Sequence, residues 1–343
     1  MLRNRLVYIA LSAVVSLALL WLLFSQIRTE DVITTLSKIF VPALFAYMAI
    51  ALLGAWLRAW RYKWLLQPQT ISWGNILLVT FIRNSLIDLL PARIGSLSFI
   101  YVLNKRLNFS FETATSAFVV AFVLDFLTLS PFLVAAILAV GLGSELISGP
   151  ALLTISLAFF GLIFLVLWKI VPLARILLAA YRRVLSLTGA QEKRFAGHSL
   201  DKFELTIRSL SQIRSRRMFF PVFLLSLLIR LAKYVSVYYL FFGLLRSLGF
   251  SLSDLSFWVF ILGISGAELT SALPVKGLAG FGTWESAWAL AFRLMGFDAR
   301  TAILSGIGVH LLTNVFEYAL GIGSILVLAF PYLRKTRGQN DRL

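Results

Sequence analysis

Asp88-Leu89-Leu90-Pro91-Ala92-Arg93-Ile94-Gly95 and Leu273-Pro274-Val275-Lys276-Gly277-Leu278-Ala279-Gly280-Phe281-Gly282-Thr283-Trp284-Glu285 interrupt a chain that is otherwise almost continuously apolar. Each sets proline, glycine and both signs of charge where the flanking hydropathy predicts bilayer depth. Backbone that leaves the helix at that depth must be buried in protein or line a watery cavity, because lipid offers no partner to a free peptide group. These two breaks are therefore the first candidates for working parts.

Outward from them, the chain of 343 residues is 59% hydrophobic and only 14% charged, with a mean hydropathy of +0.88. A soluble domain has about half and a quarter of these residue classes. An all-α, polytopic transmembrane bundle is expected. There is no cysteine, which removes disulfides, thiolate nucleophiles and cysteine metal ligands, and His198 and His310 are the only histidines. No metal and no cofactor is expected.

Leu6 to Ile27 holds no formal charge and follows Arg3 and Arg5. It is long enough to span about 30 Å of hydrocarbon and lacks a convincing cleavage site, so an uncleaved anchor is expected. Five more full spans are predicted near Ile39 to Leu57, Thr113 to Val140, Ala151 to Trp168, Met218 to Leu245 and Thr301 to Phe330. Between them, residues 76–103 and 255–297 each read as a helix, a bend and a second helix. About six full spans plus two broken or re-entrant hairpins are thus expected, within one integral membrane domain. Its parts are an N-terminal half (1–171), a basic amphipathic loop (172–217) and a C-terminal half with a short tail (218–343).

The formal charge of +17 is distributed unevenly. If both hairpins enter and leave on one side, the termini and the loops at Arg58 to Gly74, Pro91 to Glu112 and Lys169 to Arg217 share a face carrying 23 Lys/Arg, against four on the other. The positive-inside rule then predicts both termini in the cytoplasm and the protein in the inner membrane. Under that topology the hairpins open to opposite sides, the inverted arrangement that transporters use around a central site. In the basic loop, Phe203, Ile207 and Leu210 at helical spacing, with Lys202, Arg208, Arg214, Arg216 and Arg217 around them, predict an amphipathic helix on the anionic leaflet. Membrane adhesion accounts for this charge, and no nucleic-acid partner is expected.

Arg83, Arg230, Lys233, Lys276 and Arg293 face Asp88, Asp125, Glu268, Glu285 and Glu317 in predicted membrane segments. Such charges turn inward and pair, hydrate or meet a ligand. Ser226, Arg230 and Lys233 share one helix face at i, i+4 and i+7, and need Asp125, Asp88, Glu317 or an anionic ligand nearby. Gly306, His310, Thr313 or Asn314, and Glu317 form a second stripe. His310 reads as a hydrogen-bonded interior residue, and Arg293 and Glu268 as snorkelling near helix ends. At the breaks, Pro91 ends a helix and Gly95 permits a close turn around Arg93. Gly280 and Gly282 loosen the chain before Thr283, a predicted N-cap for a half-helix carrying Glu285. A helix start is a natural phosphate seat, to which Lys276 adds a point charge and Arg93 a bidentate fork.

At these residues the chain resembles the lysylphosphatidylglycerol synthase transmembrane, or flippase-like, family of prokaryotic membrane proteins. The likeness is carried by Leu90-Pro91-Ala92-Arg93-Ile94-Gly95, by Pro274 through Gly280-Phe281-Gly282-Thr283-Trp284-Glu285, and by the basic loop between them. Ser96 and Phe99 stand where that pattern has a glutamate and an arginine. The resemblance implies movement of an anionic phospholipid or polyprenyl-linked head group between leaflets, by a transporter rather than an enzyme. The chain ends at Leu343, so the translocation half of the activity is expected without aminoacyl transfer. Arg93, Lys276, Gly280, Gly282, Thr283, Glu285, Arg230 and Lys233 are the candidate substrate-binding residues, with Asp88, Asp125 and Glu317 as proton carriers or balancing charges. Two other classes stay open: an enzyme acting on a polyprenyl-phosphate or phospholipid, which a clustered carboxylate motif would favour, and a scaffold whose basic loop recruits a lipid-modifying partner enzyme.

Overall fold

The structure, a computed structural model, describes Val14 and residues 16–89, 95–141, 149–188, 194–215, 219–270 and 280–340. Arg93 and Lys276, with Pro91 and Pro274, lie outside the described residues, and so does the Asp88 side chain. After helical residues 16–24 come α1 (Thr29–Ser37), α2 (Val41–Leu65), α3 (Trp73–Leu89), α4 (Ser98–Arg106), α5 (Phe111–Leu127), α6 (Leu129–Val140) and α7 (Gly149–Trp168). Then follow α8 (Ile170–Leu187), α9 (Arg194–Ser215), α10 (Phe219–Leu245), α11 (Phe257–Thr270), α12 (Thr283–Leu294) and α13 (Ala299–Asn340). No strand occurs among the described residues. The protein is an all-α, polytopic helical membrane protein.

Among the described residues, four helices are long and apolar enough to cross a bilayer: Val41–Leu65, Phe111–Val140, Phe220–Leu248 and Ala299–Ala329. The second joins α5 and α6 through Thr128 alone. The span expected near Ala151 to Trp168 is the helix α7, whose apolar stretch is the shorter Leu153–Leu162. Residues 6–13 and 15 of the first expected span lie outside the described residues, and the rest of it is helical from 16 to 24. Exposed Phe45, Leu138, Ile322 and Leu326 are what a lipid-facing surface requires.

One boundary differs from expectation in a way that matters. The span placed at Ile39 to Leu57 continues to Leu65 as α2, with Pro42 in its first turn and 25 residues that rise about 37 Å. Arg58 and Arg61, expected in a loop, are therefore inside the bundle. Hydropathy assigns the first charge it meets to water; here the charge has a partner across the bundle.

The order helix, broken pair, helix occurs twice: α2, α3 with α4, then α5; and α10, α11 with α12, then α13. The two opening helices pack along their length, with Gly54 beside Ala232 and Gly243 beside Ala43, so they run antiparallel. Small residues let the backbones approach closely, as packing in lipid demands. The Phe40 amide donates to the Gly243 carbonyl at 3.0 Å and seals one end. Opposed directions for the opening helices are what an inverted arrangement requires.

In each broken pair the two helices pack against one another. At Gly95 a side chain would place Cβ 1.6 Å from the Leu86 carbonyl oxygen, so the chain leaves the break directly against the backbone of α3. In the second pair, Gly263 faces the Phe292 ring and Gly266 faces Ala291. Phe241, Phe260, Trp288 and Phe292 fill the core there, with Trp288 and Phe292 stacked at 4.4 Å. A second core gathers Tyr62, Ile76, Phe99, Phe118 and Leu124. The amphipathic stripe of α9 also departs from expectation. Phe203 and Ile207 pack on Val171 and Leu178 of α8 rather than on lipid, and Ser116 of α5 donates to the Thr206 carbonyl. The Leu210 and Arg214 side chains, and Arg216 and Arg217, lie outside the description.

Candidate functional site

Between the two halves lies a cavity of about 270 Å³ whose walls come from α2, α3, α5, α6, α10, α11, α12 and α13. Its charged lining is Arg58, Arg83, Arg230 and Lys233 against Asp125, Glu268 and Glu317, with His310 beside them.

Asp125 organises one side. Arg58, Arg61 and Tyr62 fall on one face of α2 by their spacing, and Arg83 and Asn84 come from the adjacent α3. Arg61 is fully buried and donates through Nη1 to Asp125 Oδ1 at 2.7 Å and to Ser226 Oγ at 3.0 Å. Arg83 Nη2 stands 3.6 Å from Asp125 Oδ2. Arg58 Nη1 donates to Asn84 Oδ1 at 2.9 Å. Arg61 and Arg83 thus share one carboxylate with a third guanidinium, Arg58, close by on Asn84, and the imbalance favours an anion.

Glu268 organises the other side. Arg230 Nη1 donates to its Oε2 at 2.9 Å and Lys233 Nζ reaches its Oε1 at 2.6 Å. Arg230 also donates to the backbone carbonyl of Asp125, which joins the two clusters. The shared face expected for Ser226, Arg230 and Lys233 is real. The carboxylate that pairs with Arg230 and Lys233 is Glu268 on α11, which was not among the expected Asp125, Asp88 and Glu317; the Asp88 side chain lies outside the described residues. Glu268 sits in the last turn of α11 with its side chain 12% exposed, so it is a pairing group and does not snorkel. Breaking such a pair by removing one partner costs about 3 to 5 kcal/mol.

The second break closes the cavity. Gly280 and Gly282 have φ of +82° and +85°, and a Cβ on Gly282 would lie 2.7 Å from the Ser16 carbonyl oxygen. Both positions therefore need glycine. The expected N-cap moves by one residue: Gly282 caps α12 and Thr283 is its first helical residue, donating through Oγ1 to the Gly280 carbonyl. Glu285 folds back on its own helix start, where Oε2 accepts from the Gly282 amide at 2.8 Å and Oε1 meets His310 Nδ1 at 2.6 Å. That carboxylate is fully buried behind the wall and already occupies part of the helix terminus expected to hold phosphate. His310 is the hydrogen-bonded interior residue expected, clasped by the Trp284 and Phe281 rings at 4.8 and 4.7 Å.

Of the candidate residues, Arg230, Lys233, Gly280, Thr283, Asp125 and Glu317 meet on the lining, while Gly282 and Glu285 stand behind it. Arg58 and Arg61 escaped sequence reasoning. The signal for them was the run Trp56, Trp60 and Trp64 at four-residue spacing, whose rings pack at 5.2 and 5.4 Å along one face of α2 and carry the helical period past Leu57. Among the described residues no cluster of three His, Cys, Asp or Glu side chains could hold a metal ion.

Residues 9–321 match the family model described as "Lysylphosphatidylglycerol synthase TM region". The chain belongs to that family. It is accordingly a membrane protein of the lipid-modification or flippase type. None of the curated proteins matches the chain. Within this member, Ser96 and Phe99 are buried, and the Phe99 ring packs on Tyr62 at 4.2 Å.

Proposed function

We propose that the protein is a transporter that moves the anionic head group of a phospholipid or polyprenyl-linked lipid between the leaflets of the inner membrane, with both termini cytoplasmic. The observation that carries this reading is the excess of cations over carboxylates on a cavity wall built by helices of both halves. A charged head group entering such a cavity exchanges water for fixed guanidinium and ammonium donors, while its acyl chains stay in lipid. The two hairpins, opening to opposite sides, are the gates, and the halves 1–171 and 218–343 move around the shared cavity as alternating access requires. Arg93 and Lys276, one in each break, contact the head group as it enters or leaves.

The test is leaflet exchange of labelled anionic lipids in vesicles containing the purified protein. Exchange above protein-free vesicles, reduced by Arg230→Gln and by Arg93→Ala with Lys276→Ala, is expected. Exchange equal to protein-free vesicles contradicts the reading.

A further inference from the structure

We infer that Arg58 and Arg83 form a phosphate-ester seat in the cavity wall. The inference rests on the transport reading for the source of the ester and on geometry for the residues.

Both guanidinium groups line the cavity, and both donate to the same neutral oxygen, Asn84 Oδ1, at 2.9 Å from Arg58 and 3.4 Å from Arg83. Two like charges drawn to one amide oxygen repel each other unless an anion joins them. The nearest carboxylate meets this need only in part. Asp125 is held by the buried Arg61 at 2.7 Å and reaches Arg83 at 3.6 Å, and among the described residues no ion pair joins it to Arg58. The Nε atoms of Arg58 and Arg83 are buried without an acceptor among the described residues. Buried donors left unpaired are costly, so a ligand oxygen that reaches them gains more than it would at an exposed arginine.

The contrast with Arg230 and Lys233 sharpens the assignment. Those two cations occupy both oxygens of Glu268, whereas Arg58 and Arg83 share only an amide. Planar guanidinium forks match the non-bridging oxygens of a phosphate ester, and two forks together can hold more than one of them. Asn314, also on the lining, presents a buried amide Nδ2 without a partner among the described residues, a further donor for a polar head group.

The experiment uses full-length protein in neutral detergent, titrated calorimetrically with three probes: dihexanoyl phosphatidylglycerol, inorganic phosphate and phosphate-free dihexanoylglycerol. Wild type binds the phosphorus-bearing lipid and not dihexanoylglycerol. Arg58→Gln and Arg83→Gln each weaken that binding about tenfold, as loss of a charge-assisted contact predicts. Arg58→Lys, which keeps the charge but loses the fork, recovers only part of it, and Arg300→Gln, remote from the cavity, binds as wild type. Inorganic phosphate binding as tightly as the lipid supports the seat and makes the free anion its ligand.

Should the glutamine variants misfold, phenylglyoxal labelling of wild type gives the same answer: the short-chain lipid protects Arg58 and Arg83, read by peptide mass spectrometry. Unchanged affinity in folded variants, or no protection, overturns the seat. Leaflet exchange that persists with unaltered binding sinks the seat and spares transport. Arginine-dependent binding without any leaflet exchange does the reverse.

Discussion

Arg61 and Asp125, 64 positions apart in sequence, meet at 2.7 Å, with the arginine fully buried. This contact pins α2 to α5 beside the cavity, fixes Ser226 of α10 through the same guanidinium, and leaves Arg83 only a longer 3.6 Å contact with Asp125.

Removing either partner strands the other. Arg61→Ala and Asp125→Asn are each expected to destabilise the protein by about 3 to 5 kcal/mol. The double replacement Arg61→Met with Asp125→Leu should cost less than the sum of the two single changes, because the Arg61–Asp125 contact is lost only once, although Arg83 also loses Asp125 as a partner. Denaturant unfolding in detergent, arranged as a double-mutant cycle, measures the coupling. Additive costs would mean that the pair is not a unit.

Gly95→Ala is expected to abolish the folded, monodisperse protein, since its Cβ would sit 1.6 Å from backbone of α3 that cannot yield. Gly74→Ala, where nothing lies within 4 Å, should be neutral or stabilise by about 0.5 to 1 kcal/mol through a restricted unfolded chain. Size-exclusion profiles and melting temperatures of the two variants check the pair.

The clasp at the second break makes its own prediction. Glu285→Ala leaves the Gly282 amide without its carboxylate acceptor and frees His310, at a cost of about 1 to 3 kcal/mol. Glu285→Gln keeps an oxygen for the amide and should lose much less. Limited proteolysis near Gly280, faster in the alanine variant and near wild type in the glutamine variant, reports the difference.

One pH effect follows from the bundle end that carries α1. The Arg300 guanidinium, donating to Asp31 at 2.7 Å, holds that carboxyl below the ordinary carboxylate range. A depressed carboxyl stabilises the fold above its unfolded pKa, and that contribution disappears as pH falls through the folded one. Neutral to mildly acidic solutions should therefore leave the tie intact. Arg300→Gln should raise the Asp31 titration midpoint, lower the melting temperature at neutral pH and bring it toward the wild-type value in acid, where the tie is already lost, read by melting temperature against pH. Equal melting temperatures at neutral pH would show that the tie contributes nothing.

Much of this was legible in the sequence, for identifiable reasons. Proline and glycine flanked by apolar runs announced both hairpins, and the i, i+4, i+7 spacing announced the face shared by Ser226, Arg230 and Lys233. What stayed hidden were partners supplied by another helix. Nothing local to Glu268 says that Arg230 and Lys233 arrive from α10, and nothing local to Arg58 says that Asn84 waits on α3. Hydropathy ended α2 at its first arginine because it counts a charge without knowing whether it is paired. The Thr283 cap moved to Gly282 because two positive-φ glycines place the turn one residue earlier, a conformational fact invisible in composition.

The central claim is that a cationic cavity carries anionic head groups across the bilayer. The initial rate of leaflet exchange in reconstituted vesicles, compared for labelled anionic and zwitterionic lipids at equal protein content, tests it most directly. The account predicts faster exchange of the anionic lipid, with the preference falling when Arg230 and Lys233 are both changed to glutamine. Equal rates for the two lipids, or rates no higher than in vesicles without protein, would contradict it.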